Sequence, residues 1–473
     1  MNSIFQIINY RNKLLFLYDP SINSIIEITL DELKALYQIK NATDSFPSSN
    51  ILTRLMTLGY LKDEDSFRIE HPLTPYIHSI VDHYTSNVIM QVTQNCNFSC
   101  RYCSFANQYG PIRNHAEVNM TPEVARKTIS FLKEKSSHSK TINIHFYGGE
   151  PLLNYGVIKE SILFSEKILE EKYIQFRIVT NLSFLTKPML DFFIEHNVFL
   201  TVSLDGPREV HNKYRKFAYS GSGSFDKIYN NLKLIYEEDI NYFKTNVSIN
   251  AVIDPASDLE EIQMFFENDY LLEKLRVTYN HMEKEDNDIY FSQSNDQRVQ
   301  LNSKYVNYLL CNMMDSNNRA ALFSEFDNIN NLTSNLCIPS DEIELPTEYS
   351  TKNNLWHHNG PCMAGYRKLF VNVSGRFFPC EKVNELNPEM SIGDINSGYN
   401  YEHIEKQLNI ARITSNECRR CWAKHLCFSC QKTVDDSNML SKRKKLLNCE
   451  IQKKNILFDL KIKCILDKLK EIV

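Results

Sequence analysis

Three cysteines, Cys96, Cys100 and Cys103, follow the strand-like run Val88–Thr93 at C-x₃-C-x₂-C spacing. A cubic [4Fe–4S] cluster is held by thiolates. Three ligands from one short loop leave its fourth iron open, the arrangement by which catalytic metal sites keep room for a substrate. A second field holds Cys362, Cys380, Cys418, Cys421, Cys427, Cys430 and Cys449, with Cys418 to Cys430 running C-x₂-C-x₅-C-x₂-C. Between the two fields, Tyr147-Gly148-Gly149-Glu150-Pro151 follows the next strand. Glycines there allow close backbone approach, and Glu150 can accept hydrogen bonds from an ammonium group.

The triad, with Tyr102 just before its last cysteine, resembles the radical S-adenosylmethionine family over roughly Asn87–Asn280. The resemblance implies that Gly148, Gly149 and Glu150 form the motif that binds the methionine amino group. It implies cofactor contacts for Tyr102, Thr180, Asn181, Ser203 and Asp205. Arg215 would face the methionine carboxylate, for which a guanidinium offers a bidentate partner. The implied chemistry is chelation of the open iron by methionine nitrogen and carboxylate, then reductive cleavage to a 5′-deoxyadenosyl radical that takes hydrogen from a substrate. Such enzymes need an electron donor such as flavodoxin or ferredoxin.

The second field resembles the SPASM extension, which carries two auxiliary [4Fe–4S] clusters. By position, Cys418, Cys421, Cys427 and Cys449 would hold the outer cluster, and Cys362, Cys380 and Cys430 the inner one. Cys337 or an open site would complete the inner set. The usual pattern has three residues between the last paired cysteines; this chain has two. Paired zinc knuckles fit Cys₄ spacing as well. Cys311 and Cys464 read as incidental, and His425 and the His357-His358 pair as packing or loop features. Glu381 follows Cys380, where sulfatase-maturing relatives carry a proposed aspartate base; a catalytic base role is therefore assigned to Glu381.

The elements that position these residues can be read from periodicity. Val88–Thr93, Ile142–Tyr147, Gln175–Thr180, Val198–Leu204, Asn246–Ile253 and Lys274–Tyr279 read as strands. Pro122–Lys135, Val157–Lys172, Pro188–His196, Phe225–Glu238 and Leu259–Asn268 read as the helices between them. This alternation predicts an α/β fold with a parallel sheet, a partial (β/α)₆ barrel whose ligands sit at the strands' C-terminal ends. The expected division is residues 1–84, a winged-helix-like peptide recognition domain of three strands then helices; 85–284, the barrel; 285–360, a helical bridge and loop; 361–450, the cysteine-rich SPASM domain; and 451–473, a C-terminal helix.

The 473 residues carry a net charge of −5, which argues against a general nucleic-acid binder. No run of about 18 apolar residues occurs, so no membrane span is expected. The N-terminus lacks a basic, apolar leader, so a cytoplasmic location with reduced cysteines is expected. The N-terminal module resembles elements that bind a leader peptide as an added strand, which makes a precursor peptide the expected partner. The leading expectation is therefore a peptide maturase installing sulfur-to-carbon thioether crosslinks. A carbon–carbon crosslinking maturase, a sulfatase-type maturase forming formylglycine and, from another class, a zinc-stabilised binding protein are the alternatives.

Overall fold

The computed structural model describes residues 4–10, 14–41, 50–62, 67–103, 115–254, 257–282 and 354–472. Residues 285–353 of the expected 285–360 bridge, with Cys311 and Cys337, lie outside the described residues.

Three antiparallel strands open the chain: β1 (Gln6–Tyr10), β2 (Leu14–Asp19) and β3 (Ser24–Glu27), with β2 central. The helix Leu30–Asn41 follows. Its start is fixed by a reciprocal cap: Thr29 Oγ1 accepts from the Glu32 amide (3.2 Å), and the Glu32 carboxylate accepts from the Thr29 amide (2.8 Å). One face of the sheet supplies Ile7, Leu15 and Leu17 to a core with Leu36, Leu52 and Leu55. The other face, with Ile8, Phe16 and Tyr18, packs on Ala423, Leu426, Ile456 and Leu460 from the far end of the chain. Both faces of this small sheet are thus covered by the chain itself.

Six parallel strands form the barrel: β4 (Asn87–Thr93), β5 (Thr141–Gly148), β6 (Tyr173–Thr180), β7 (Phe199–Ser203), β8 (Val247–Ile253) and β9 (Arg276–His281), neighbours in that order. The helices Pro122–Lys135, Phe225–Glu238 and Leu259–Asn268 have the bounds read from sequence. Two have side-chain caps: Thr121 accepts from the Val124 amide, and Asp258 from those of Glu260 and Glu261. Alternation decides the layers. Ile142, Ile144, Phe146, Phe176 and Ile178 join the core between sheet and helices. Asn143, His145, Tyr147, Arg177 and Val179, one residue out of phase, face the concave side.

The sheet does not stop at β4. Strand β10 (Leu369–Val371) pairs parallel to it, Ile89 opposite Phe370, and turns at Ser374-Gly375 into β11 (Arg376–Phe378). Gly375 has φ +85°, the left-handed conformation the turn requires. The cysteine-rich region is therefore sewn to the barrel edge by main-chain hydrogen bonds. The C-terminal helix runs Lys442–Ile472. It starts before residue 451, where the tail was expected to begin, so Cys449 lies on the helix.

Candidate radical S-adenosylmethionine site

All the expected barrel residues come together at the C-terminal ends of the strands. The cysteine loop leaves β4 and is pinned by backbone bonds: Gly149 N–H to Thr93 O (3.0 Å), Glu150 N–H to Asn95 O (2.8 Å), Ser99 N–H to Lys216 O (2.9 Å) and Ala218 N–H to Asn97 O (2.9 Å). The two glycines serve this packing. A Cβ on Gly148 would stand 2.1 Å from Thr93 O, and one on Gly149 2.2 Å from Asn95 O. What approaches them is the cysteine loop itself, which refines the expectation of a close approach by a ligand.

Glu150 is fully buried. It accepts from Thr180 Oγ1 (2.6 Å), the Asn181 amide (2.7 Å) and the Leu152 amide (3.1 Å). Even so, burial pushes its carboxyl up to about 7, and its charge reaches Cys96. A buried carboxylate beside the triad with no cation paired to it among the described residues fits a ligand ammonium. The Asn181 side chain donates to Asn97 Oδ1 (2.9 Å), tying β6 back to the loop.

Asp205 is the hub of the opposite wall. Its carboxylate accepts from Tyr102 Oη, Arg215 Nε (2.9 Å) and the Val252 amide (3.0 Å). The Arg215 guanidinium lies over the Tyr102 ring, 5.2 Å from its centroid, and lowers the Cys100 thiol against the larger upward push of burial. Asp205 and Arg215 thus first serve each other and the loop. Ser203, buried, ends β7 beside Asn250. The Cys96 thiol is pushed far above its ordinary value by burial and Cys100 up to about 11, so iron must displace protons to bind. His115, which carried no motif, brings Nε2 to 3.6 Å from Cys103 Sγ.

In the second field the thiols couple electrostatically in two groups. Cys418, Cys421, Cys427 and Cys449 feel one another's charge, and Cys362 and Cys380 each feel that of Cys430. Among the described residues, no three His, Cys, Asp or Glu side chains converge on one ion-sized point. Glu381 projects beside the inner set and is ion-paired with Lys368 at 3.2 Å. Burial works against its charge, but Lys368 wins and holds the carboxyl below its ordinary value. His145, opposite Arg177 on the concave face, feels both Lys368 and Glu381. His357 and His358, read as loop features, are buried.

Residues 90–268 match the radical SAM superfamily. This stretch, which is similar to radical SAM domains, forms an α/β core flanked by N-terminal and cysteine-rich C-terminal accessory regions. The chain is 26% identical over 260 residues to the radical SAM cyclopropyl synthase TigE of Paramaledivibacter caminithermalis, covering 52% of this chain and 50% of that protein. It is 29% identical over 187 residues to the cysteine-type anaerobic sulfatase-maturating enzyme of Clostridium novyi, covering 38% of this chain and 47% of that one. The matches thus span about half the length of these two relatives. The enzyme of the same name from Clostridium perfringens strain 13 is 23% identical over 380 residues, 75% of this chain and 91% of that protein. The solved structure of native anSMEcpe with bound AdoMet shares the fold at TM-score 0.57 and 16% identity, over 82% of this chain and 98% of that one.

These findings overturn the thioether-crosslinking expectation. Sulfatase-maturating relatives recur among the matches, and the fold likeness to anSMEcpe covers nearly all of that structure. The residue after Cys380 is Glu rather than the Asp of sulfatase-maturing relatives, yet it presents the same carboxylate, one methylene longer, fixed by Lys368.

Binding of S-adenosylmethionine should depend on Glu150. Glu150→Ala removes a charge-assisted partner worth roughly 1.5–3 kcal/mol, so affinity measured by calorimetry should fall about tenfold or more. Glu150→Gln, which keeps the side chain's shape, should lose a similar amount. Unchanged affinity in both would make Glu150 a turn residue only.

Proposed function

We propose that this chain is an anaerobic radical S-adenosylmethionine enzyme of the sulfatase-maturase type. It would oxidise the β-carbon of a Cys or Ser side chain in a peptide or protein segment to the aldehyde of formylglycine. The observation that carries the reading is the placement of Glu381. A carboxylate held ionised by Lys368 stands beside the inner cysteines and next to the concave barrel face. The similarity to sulfatase-maturating enzymes over most of a relative's length supports the same class.

When bound, the clusters and S-adenosylmethionine would supply the electron, the 5′-deoxyadenosyl radical and an acceptor for the electron left on the substrate carbon. The chain's own residues do the rest. Cys96, Cys100 and Cys103 would hold the cleaving cluster, Cys418, Cys421, Cys427 and Cys449 the outer one, and Cys362, Cys380 and Cys430 the inner. Glu150 would anchor the cofactor's ammonium, and the Tyr102–Asp205–Arg215 network holds the wall opposite. Glu381 accepts the proton that the oxidised side chain releases, from the thiol of Cys or the hydroxyl of Ser. Lys368 keeps that carboxylate charged and aimed. A Cys substrate would pass through a thioaldehyde, which water converts to aldehyde with loss of hydrogen sulfide.

The test uses the reduced, iron-loaded enzyme with S-adenosylmethionine and matched peptides carrying Cys or Ser, with hydrazide trapping of the aldehyde. Aldehyde is expected from the reacting residue. In Glu381→Gln its rate should fall by about 10²–10⁴, the usual worth of a positioned base, while 5′-deoxyadenosine still forms. Equal aldehyde rates in both proteins would remove Glu381 from the chemistry.

A further inference from the structure

Two buried side chains beside the outer cysteines have no role in the chemistry above. Lys445 is 1% exposed. Its ammonium donates to the Ile410 carbonyl at 2.9 Å. It stands one helical turn before Cys449, on the same face of the helix Lys442–Ile472. The thiols of Cys418, Cys427, Cys449 and Cys421 are the groups that raise its affinity for a proton, against the larger opposing effect of burial. A buried ammonium is costly unless an opposite charge meets it, and a carbonyl carries none.

The second is His358, 2% exposed, with neither ring nitrogen hydrogen-bonded among the described residues. A neutral imidazole has one N–H and one lone pair to satisfy. The adjacent ring cannot help, because His357 accepts from the Ala411 amide through Nε2 (3.0 Å) and donates from Nδ1 to the His358 carbonyl (2.8 Å). The position of His358 is fixed by Gly360, whose backbone lies so close to the 428–429 peptide that a Cβ there would stand 2.0 Å from Ser429 O. That peptide joins Cys427 to Cys430. The loop carrying His358 is therefore pressed against the segment between the two cysteine sets, and the charge of Lys445 reaches the ring.

We propose that Lys445 and His358 are the polar partners of a cluster on Cys418, Cys421, Cys427 and Cys449, and that Lys445 sets its reduction potential. The inference rests on the cluster reading given above. A [4Fe–4S] cube with four thiolates is net negative and gains one more negative charge on reduction. A fixed cation in a low-dielectric site favours the more negative state and so raises the potential. An imidazole N–H aimed at a cluster sulfur acts in the same direction. The inner set has its own cation, Lys368, beside Glu381, so the effect is confined to the outer site.

The experiment is a redox titration followed by electron paramagnetic resonance on the full chain, reconstituted anaerobically. A background with Cys96, Cys100 and Cys103 replaced by Ala leaves only the auxiliary signals. Lys445→Met should move one of the two transitions downward. At a fixed potential its reduced-to-oxidised ratio should fall at least tenfold, about 59 mV for a one-electron couple. Lys445→Arg should restore the parent value. His358→Phe should move the same transition down by less. Unmoved potentials in Lys445→Met with full iron, or equal shifts of both transitions, would overturn the proposal. If Lys445→Met loses the outer iron, the other two variants decide: no shift in His358→Phe, or a shifted transition in Lys445→Arg, overturns it. A parent protein without iron and sulfide would instead overturn the cluster reading, so the two failures are distinct.

Discussion

Replacing Cys96, Cys100 and Cys103 together by Ala should abolish S-adenosylmethionine cleavage while the fold and the auxiliary iron remain. The loop that carries them is held by the backbone hydrogen bonds given above, by Arg101 N–H to Tyr214 O (3.3 Å), and by the edge-to-face contact of Phe98 with Phe217, ring centroids 4.9 Å apart. The variant loses only the long contacts of Phe98 N–H with Cys96 Sγ (3.4 Å) and of His115 Nε2 with Cys103 Sγ (3.6 Å), so it keeps its shape. The second cysteine field sits elsewhere: in the loops before β10 and just after β11, in the segment around residues 418–430 and on the C-terminal helix. Iron analysis should therefore show loss of one cluster's worth, and 5′-deoxyadenosine should vanish under reductant. Its persistence would remove the triad from the chemistry.

Where sequence reasoning succeeded, the signal was local. The triad, the Gly-Gly-Glu turn and the strand ends lie on successive β-strands, so placing the strands places the site. Helix bounds such as Pro122–Lys135 and Leu259–Asn268 were legible because Thr121 and Asp258 are caps written into the chain. The pairing of β10 with β4 was not legible. Three residues, Leu369–Val371, carry no sign of which distant strand they join. Lys368, His145, His115 and Lys445 were missed for the same reason: each is one ordinary residue given meaning by a neighbour remote in sequence. The His357-His358 pair does lie in a loop, but its burial was not legible, because the loop is folded inward against Phe428 and Ser429, remote in sequence. The thioether expectation rested on the likeness of the three N-terminal strands to leader-binding elements, a likeness of pattern that does not fix the reaction performed on a substrate. The packing of those strands on Trp422, Leu426 and Ile456 could not be seen in residues 1–84 alone.

The position attacked on the substrate is the most consequential expectation. Formylglycine chemistry needs hydrogen loss from the β-carbon, whichever of Cys or Ser is modified. The proposed reaction requires such a side chain to lie near two things at once. The strand ends present the triad loop, and Glu381 stands beside His145 on the neighbouring wall. In the proposed reaction, proton removal by Glu381 from the thiol or hydroxyl would be productive only once a hydrogen has left the β-carbon that bears it, so both events would fall on one side chain. A peptide with deuterium on the β-carbon of the reacting residue should therefore pass its label into 5′-deoxyadenosine. A peptide labelled at the α-carbon should pass none.

That transfer is read by mass spectrometry of 5′-deoxyadenosine and peptide from a single anaerobic reaction of the reduced, iron-loaded enzyme. The account predicts β-deuterium in 5′-deoxyadenosine together with an aldehyde at the labelled residue. Label arriving from the α-carbon, or 5′-deoxyadenosine formed while the residue keeps its side-chain heteroatom and no aldehyde appears, would contradict it.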